Sequence, residues 1–401
     1  MELLPHLRQL RALVAVVQAG SSQQAATLLH VAQSSVARAV QQLEAALDGA
    51  LLLRSGRGMQ PHPLGQRLAL RAQRALELLA QADCHKRRPS AVSWTDSPLA
   101  LGLSQRHVQT LLALQQSGSE GKAALALGLS QSAVHQSLSQ LEHLAGSTLF
   151  VRTRGGLRLD EAGANLLRAV QLALAELRRA EDEWPQAHGR LQGRLTIGTL
   201  PFSTTMLLAP AVSRVLDAQA DVQVTLVDGT FDALVQQLRS AQIDCIVGAL
   251  REQVPAADVQ QDVLFEDRLA VVARADHPLA QRRRLQWRHL AQAQWVMPMP
   301  QTPAAAAFAQ MLQSAGLPPP MDQLHVNSAL MMLAFLAEGD RLALMSPRQV
   351  ARELAQGQLV ELPLPVRHTP RRIGVMLRAG YLPTPAAAQL LDALRAVAAT
   401  L

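Results

Sequence analysis

The chain has 401 residues, 49% of them hydrophobic and 17% charged, which excludes a predominantly disordered protein. At roughly 100–200 residues per domain it should hold two to four domains. No apolar run reaches the ~18 residues of a membrane span; the longest, 329–337, has the length of a core helix, so no membrane partner is expected. Glu2, Arg8 and Arg11 precede a short apolar stretch with no small-residue cleavage site after it, which points to the cytoplasm. Two cysteines, Cys84 and Cys245, are too few for a disulfide framework, no Cys/His cluster has zinc spacing, and no metal or cofactor is expected. The net charge is +7, and residues 1–190 hold 20 basic residues against 14 acidic, the remainder 18 against 17. A basic N-terminal half predicts a polyanionic partner.

Leu10, Leu13, Val14 and Val17 form the apolar face of a first helix that ends at Gly20. Ser21 caps a short second helix carrying Ala25, Ala26 and Leu29, and a turn through 30–32 leads to a third helix carrying Val36, Val40 and Leu43. The pattern then returns, 98 residues on. Ala25-Ala26 falls on Ala123-Ala124, Gln33-Ser34 on Gln131-Ser132, Leu43-Glu44 on Leu141-Glu142, Leu51 on Leu149, Arg54 on Arg152 and Gly65 on Gly163, with no gap from 8 to 79. The period is too long for a solenoid and reads as a duplicated module. Ser130 can cap the third helix of the second copy; the first copy has Ala32 there, a loss of about 1 kcal/mol. Two helices joined by a tight turn, the second with a polar start, are a helix-turn-helix. Arg54–Arg57 and Arg152–Arg158 then suit β-hairpin wings, and long helices follow, with apolar seams Leu68, Ala72, Leu76, Leu79 and Leu166, Val170, Leu174, Leu177. Either seam serves dimerisation or simply a core. Residues 83–103 read as a linker.

The run Gln131-Ser132-Ala133-Val134, Leu141-Glu142, Gly146 to Arg152 and Glu161-Ala162-Gly163 resembles the winged helix-turn-helix of LysR-type transcriptional regulators. The first copy departs from it at Asp48, Leu52 and Pro63-Leu64. Such chains usually carry one such module; this one is expected to carry two. Base-reading residues should stand at the third-helix starts: Gln33, Ser34, Ser35 and Arg38, and Gln131, Ser132, His135 and Gln136. Arg38 suits guanine and the glutamines adenine, while Arg54, Arg57, Arg152, Arg154 and Arg158 should hold phosphate.

From Arg194 strands and helices alternate, which implies a parallel sheet: strands over 195–198, 222–227, 243–247, 268–273, 294–297 and 343–345, helices over 207–216, 234–238 and 329–338. Leu195-Thr196-Ile197-Gly198, Ile243 to Gly248, His277-Pro278-Leu279, Leu342 to Met345 and Arg372-Ile373-Gly374 resemble the effector domain of the same family. The resemblance implies two all-α-type winged helix-turn-helix domains followed by an α/β, two-lobed, periplasmic-binding-protein-like (type 2) domain. The expected boundaries are 1–82 for the first module, 83–103 linker, 104–163 second module, 164–189 connecting dimerisation helix and 190–401 effector domain. Lobe I should be about 194–270 with 347–401, and lobe II about 271–346. A ligand between the lobes would meet Ser203, Thr204, Thr205, Arg251, Thr302, Asn327 and Ser328; hydroxyls at helix starts suit an anion, and equally suit plain helix capping.

The expected function is therefore sequence-specific, effector-responsive DNA binding. Double-stranded DNA, a sugar or an aromatic or other organic acid, a second or fourth copy of the chain, and RNA polymerase are the implied partners. Two rivals remain: an interaction protein in which only one winged module binds DNA, and an enzyme on the two-lobed fold, for which no acid–base pair or Ser/His/Asp set is visible.

Overall fold

In the computed structural model the described residues are 2–55, 58–84, 93–184, 193–200, 204–219, 221–253, 256–320, 324–364, 366 and 371–401. They fall into two compact units, 1–192 and 193–401.

The first unit opens with α1 (Leu7–Ala19), α2 (Ser22–Leu28) and α3 (Gln33–Leu47). Gly20 ends α1 in the left-handed region, and the Ser21 hydroxyl accepts from the Gln24 N–H, so both sequence signals hold. Ala32 leaves α3 without a side-chain cap. A hairpin of β1 (Leu52–Ser55) and β2 (Gly58–Pro61) leads to α4 (Pro63–Gln81). After the short α5 (Pro98–Gly102) come α6 (Gln105–Ser117), α7 (Glu120–Leu127), α8 (Gln131–Ala145), a hairpin of β3 (Phe150–Thr153) and β4 (Gly156–Leu159), and α9 (Glu161–Glu183).

Equivalent backbone contacts recur at the sequence offset. The Met59 N–H donates to the Gly20 carbonyl and the Leu157 N–H to the Gly118 carbonyl; the His62 N–H reaches Leu51 and the Asp160 N–H reaches Leu149. Glu44 Oε1 accepts the Leu51 N–H at 2.9 Å, as Glu142 Oε1 accepts that of Leu149 at 2.9 Å. A Cβ on Gly65 would lie 2.0 Å from the Leu51 carbonyl oxygen, and one on Gly163 2.1 Å from that of Leu149, which is why glycine stands at both places. The first copy tolerates Asp48 in the left-handed conformation that Gly146 adopts in the second.

Two expectations need correction. Residues 93–103, assigned to a linker, are core: Trp94, Leu99, Ala100 and Leu103 are buried because the turn at 94–96 and α5 pack on α4 and α8. Residues 85–92 lie outside the described part. The expected dimerisation helix over 164–189 falls on α9, which ends at Glu183, with 185–189 outside the described part, and its seam is already covered within the chain. Leu166, Val170 and Leu177 share one buried cluster with Leu68, Ala72, Leu76 and Leu79 of α4.

Among the described residues the second unit has two five-stranded sheets. Its elements are β5 (Gly193–Thr199), α10 (Thr204–Ala218), β6 (Val222–Asp228), α11 (Phe231–Arg239), β7 (Cys245–Ala249), β8 (Val259–Asp267), β9 (Ala270–Arg274), β10 (Gln294–Pro298), α12 (Pro303–Ser314), β11 (Leu324–Val326), α13 (Ala329–Glu338), β12 (Arg341–Met345), α14 (Ala351–Ala355), β13 (Leu359–Glu361), β14 (Arg371–Arg378) and α15 (Pro385–Ala398). The sheet orders are β6-β5-β7-β14-β8 and β11-β10-β12-β9-β13. The return to the first lobe, expected at 347, comes later, because Leu359–Glu361 of β13 pair with Val272–Arg274 in the second sheet. Where the lobes join, buried Asp267 accepts from Arg371 Nη2 at 2.8 Å and from Ser346 Oγ at 2.8 Å, tying the ends of β8, β14 and β12 together. Among the described residues no helix is long and apolar enough to cross a membrane.

Candidate DNA-reading surface and effector cleft

In α3 the apolar positions Val36, Ala39, Val40 and Leu43 are buried against α1 and α2. That rotation turns Gln33, Ser34 and Arg38 to solvent and leaves Ser35 half-buried. Gln33 Nε2 donates to Ser22 Oγ at 3.0 Å, so the side chain nearest the turn is held by α2.

The second copy repeats the arrangement. Ser130 Oγ accepts the Ala133 N–H at 3.2 Å, starting α8 with the cap its counterpart lacks. Val134, Leu138 and Leu141 face the core, and Gln131, Ser132, His135 and Gln136 are exposed. Arg152, Arg154 and Arg158 are exposed along the β3–β4 hairpin. His135 Nδ1 lies 3.5 Å and Arg152 Nη2 3.9 Å from Glu120 Oε1, so one carboxylate at the start of α7 sits between a residue of α8 and one of the β3–β4 hairpin. Arg57 and the side chain of Arg54 lie outside the described part.

Sequence reasoning missed the wing anchors Glu44 and Glu142, although Leu43-Glu44 repeating as Leu141-Glu142 is the signal that marks them. It also missed Arg71, which is 2% exposed and binds Glu176 and Glu183 of α9. No repeat signal exists there, since Ala169 stands 98 residues on.

In the second unit the expected ligand residues gather at strand C-termini. In the first lobe β5 runs parallel to β6 and β7, with Thr199 opposite Asp228 and Val247, so the loops leaving all three share an edge. Thr204 and Thr205 open α10 there; their side chains, and Ser203 altogether, lie outside the described part. Arg251 follows β7, with its guanidinium 4.5 Å from the Phe231 ring centroid and Nη1 donating to the Gln301 carbonyl of the other lobe at 3.2 Å. Burial lowers its pKa, and Asp232 opposes the shift. Gln301 holds a positive φ of 63°, an uncommon conformation for a residue with a Cβ.

In the second lobe β10 and β11 are parallel, Pro298 opposite Val326, which puts Thr302 and Asn327-Ser328 at one edge. Thr302 Oγ1 accepts the Ala305 N–H at 3.1 Å and Ser328 Oγ the Met331 N–H at 3.4 Å; both act as helix caps. Asn327 is exposed. Cys245 is buried, which pushes its thiol well above the usual range and makes it a core residue.

Exposed polar helix starts beside arginine-bearing hairpins, in a chain whose other unit is a two-lobed α/β fold, define a DNA-binding regulator with a ligand-sensing domain. Residues 188–399 match the LysR substrate binding domain, and residues 7–78 and 105–164 match the bacterial regulatory helix-turn-helix protein of the lysR family. The chain belongs to the LysR family: it is a DNA-binding transcriptional regulator that responds to a small molecule, and not an enzyme. It is 34% identical over 394 residues to the HTH-type transcriptional regulator GalR of Pseudomonas putida, covering 98% of each chain. To PcaQ of Agrobacterium fabrum it is 29% identical over 296 residues, 74% of this chain and 95% of that one. The crystal structure of ArgP from Mycobacterium tuberculosis shares the fold with a TM-score of 0.55 at 24% identity, covering 74% of this chain and 97% of that one.

Proposed function

We propose that both copies of the repeat are winged helix-turn-helix modules and that both read DNA. One observation carries this: each third helix buries its apolar face and leaves polar side chains exposed at its start, beside a hairpin fixed by equivalent backbone hydrogen bonds. Gln33, Ser34, Ser35 and Arg38 read one half-site; Gln131, Ser132, His135 and Gln136 read the other. Arg54, Arg57, Arg152, Arg154 and Arg158 neutralise phosphate. The coverage of PcaQ supports the duplication, because nearly all of that chain aligns with only 74% of this one.

The effector binds at the facing strand C-termini of the two lobes, and Arg251 clamps its carboxylate. Ser203, Thr204 and Thr205, assigned to the site from the sequence, complete the donor set with Thr302, Asn327 and Ser328. An aromatic or sugar-derived acid fits this donor set. The regulator acts in the cytoplasm as a homo-oligomer and passes its signal to RNA polymerase.

Calorimetric titration of the full chain with benzoate, 4-hydroxybenzoate, galactonate and galactose tests the effector reading. A carboxylate from this set should bind the wild type and lose roughly tenfold or more in Arg251→Ala, with effector-free DNA affinity unchanged, as expected for a charge-assisted hydrogen bond worth about 1.5–3 kcal/mol. Equal affinity in the variant refutes the clamp.

A further inference from the structure

The long helices α4 and α9 run antiparallel within one chain, as the contacts at their ends require, and Arg71, midway along α4, reaches Glu176 and Glu183 in the far half of α9 at 2.9 and 2.5 Å. Arg179 closes on Glu176 at 2.7 Å, and Arg74 lies 3.6 Å from it. Their apolar seams fill one buried cluster. The ends of the pair are exchanged as well. The Leu3 N–H, ahead of the first turn, donates to Glu181 Oε1 at 2.6 Å; 98 residues before Glu181 stands Asp83, which accepts from Ser97 Oγ at 2.6 Å at the start of α5. Each copy's long helix thus ends on the first turn of the other copy. Gly49, after α3, abuts Trp184 beyond α9, and the Cys84 N–H beyond α4 donates to the Ala145 carbonyl at the end of α8. Two-fold-like exchange of this kind is what two identical subunits produce across a dimer interface.

The charges are not exchanged. The positions 98 residues from Arg71 and Glu176 are Ala169 and Leu78. Two α9 helices from separate chains, set in this register, would present Ala169 to Glu176, leaving it only Arg179 of its own helix and depriving Glu183 of Arg71, and two α4 helices would present Leu78 to Arg71. Burying a charge short of its partners is costly, so the ion network favours α4 on α9 over either like pair.

We propose that α4 and α9 are an in-chain replacement for a subunit interface, so that one chain carries a complete pair of DNA-reading modules and recognises two unlike half-sites. The inference rests on the reading that both modules bind DNA; the pairing itself does not. The half-sites differ because Arg38 has Gln136 as its counterpart and Ser35 has Ala133.

The full-length Ser147→Cys variant tests the pairing without DNA. Ser147 follows Ala145 by two residues, Cys84 is exposed, and Cys245 is buried and should not react. A short bis-maleimide should join Cys84 to the thiol introduced at position 147 in a product of one-chain mass on a denaturing gel, with the linked peptide found by mass spectrometry. A two-chain product, or no linked peptide in a variant that melts like the wild type, overturns the proposal. Binding selection on randomised DNA then tests the asymmetry: two dissimilar half-sites are expected, Arg38→Ala degrading one and Gln136→Ala the other. A selected palindrome overturns it. A one-chain crosslink combined with a silent Arg38→Ala would leave the pairing in place and remove the first copy from DNA reading.

Discussion

Replacing Gly163 by alanine adds one methyl group where the start of α9 crosses the strand leading into the wing. Its Cβ would stand 2.1 Å from the Leu149 carbonyl oxygen and 2.8 Å from Leu159 Cδ2. The first neighbour is backbone, so relief requires α9 to move by about 1 Å away from the hairpin. The Gly163 N–H, which donates to Asp160 Oδ1 at 2.7 Å, would move with it. Helix propensity alone favours alanine over glycine by about 1 kcal/mol. Overpacking costs about 1–3 kcal/mol and a weakened N-cap about 1 kcal/mol, so the balance is a net loss of about 1–3 kcal/mol. For a unit of this size that lowers the melting temperature by roughly 2–4 °C per kcal/mol. Differential scanning calorimetry of the full chain, with DNA affinity measured at fixed salt, reads both consequences. Gly65→Ala should behave alike, since its Cβ meets the Leu51 carbonyl oxygen at 2.0 Å. Gly20→Ala, with nothing within 4 Å, carries only the strain of φ +74° and should cost less. A Gly163→Ala protein as stable as the wild type, with unchanged DNA affinity, refutes the reasoning.

Arg71→Met leaves Glu176 and Glu183 short of a buried partner and should cost about 3–5 kcal/mol in chemical denaturation, less if Arg179 and Arg74 take over. Arg152→Ala should weaken binding to all sequences alike and reduce the salt slope of log K by about 1, read by titrations at several salt concentrations. His107, buried in α6 with Nδ1 accepting the Ser104 N–H at 3.3 Å, has its pKa lowered by burial. The unfolded chain then binds the extra proton first: stability is full above about pH 6.5 and falls below it by up to about 1.4 kcal/mol per pH unit until the folded imidazole also titrates. Urea midpoints between pH 7.5 and 5.5 should show this fall, and His107→Gln should flatten it.

Local chemistry was legible in the sequence wherever one residue settles its own surroundings. Gly20, Ser21 and Ser130 end or cap the helices they were assigned to, and Ala32 leaves its helix uncapped. The strand at 195–198 follows from its apolar pattern and the helix at 329–338 from the length of its apolar run. What stayed hidden depends on partners distant in sequence. Trp94 and Leu99 sit among Pro, Ser and charged residues, and only their packing on α4 and α8 makes them core. The α4 and α9 seams look like surfaces awaiting another chain until each is seen to fill the other. The three residues of β13 have no pattern of their own and exist as a strand through pairing with β9. Asp267, Ser346 and Arg371 meet across more than a hundred residues, a distance no local motif spans. At α3 and α8 the exposed residues were legible because the buried ones repeat; at the candidate effector site, Thr302 and Ser328 cap helices whether or not they also touch a ligand.

The central claim, that both copies read DNA, is tested most directly by binding selection on randomised duplexes with the full-length wild type, Arg38→Ala and Gln136→Ala at one fixed salt concentration. Loss of a base-specific contact should cost about 1–3 kcal/mol at a single base pair. The account predicts that each variant relaxes one position, and that the two positions lie in different half-sites. An Arg38→Ala protein with the wild-type sequence preference and affinity would contradict it.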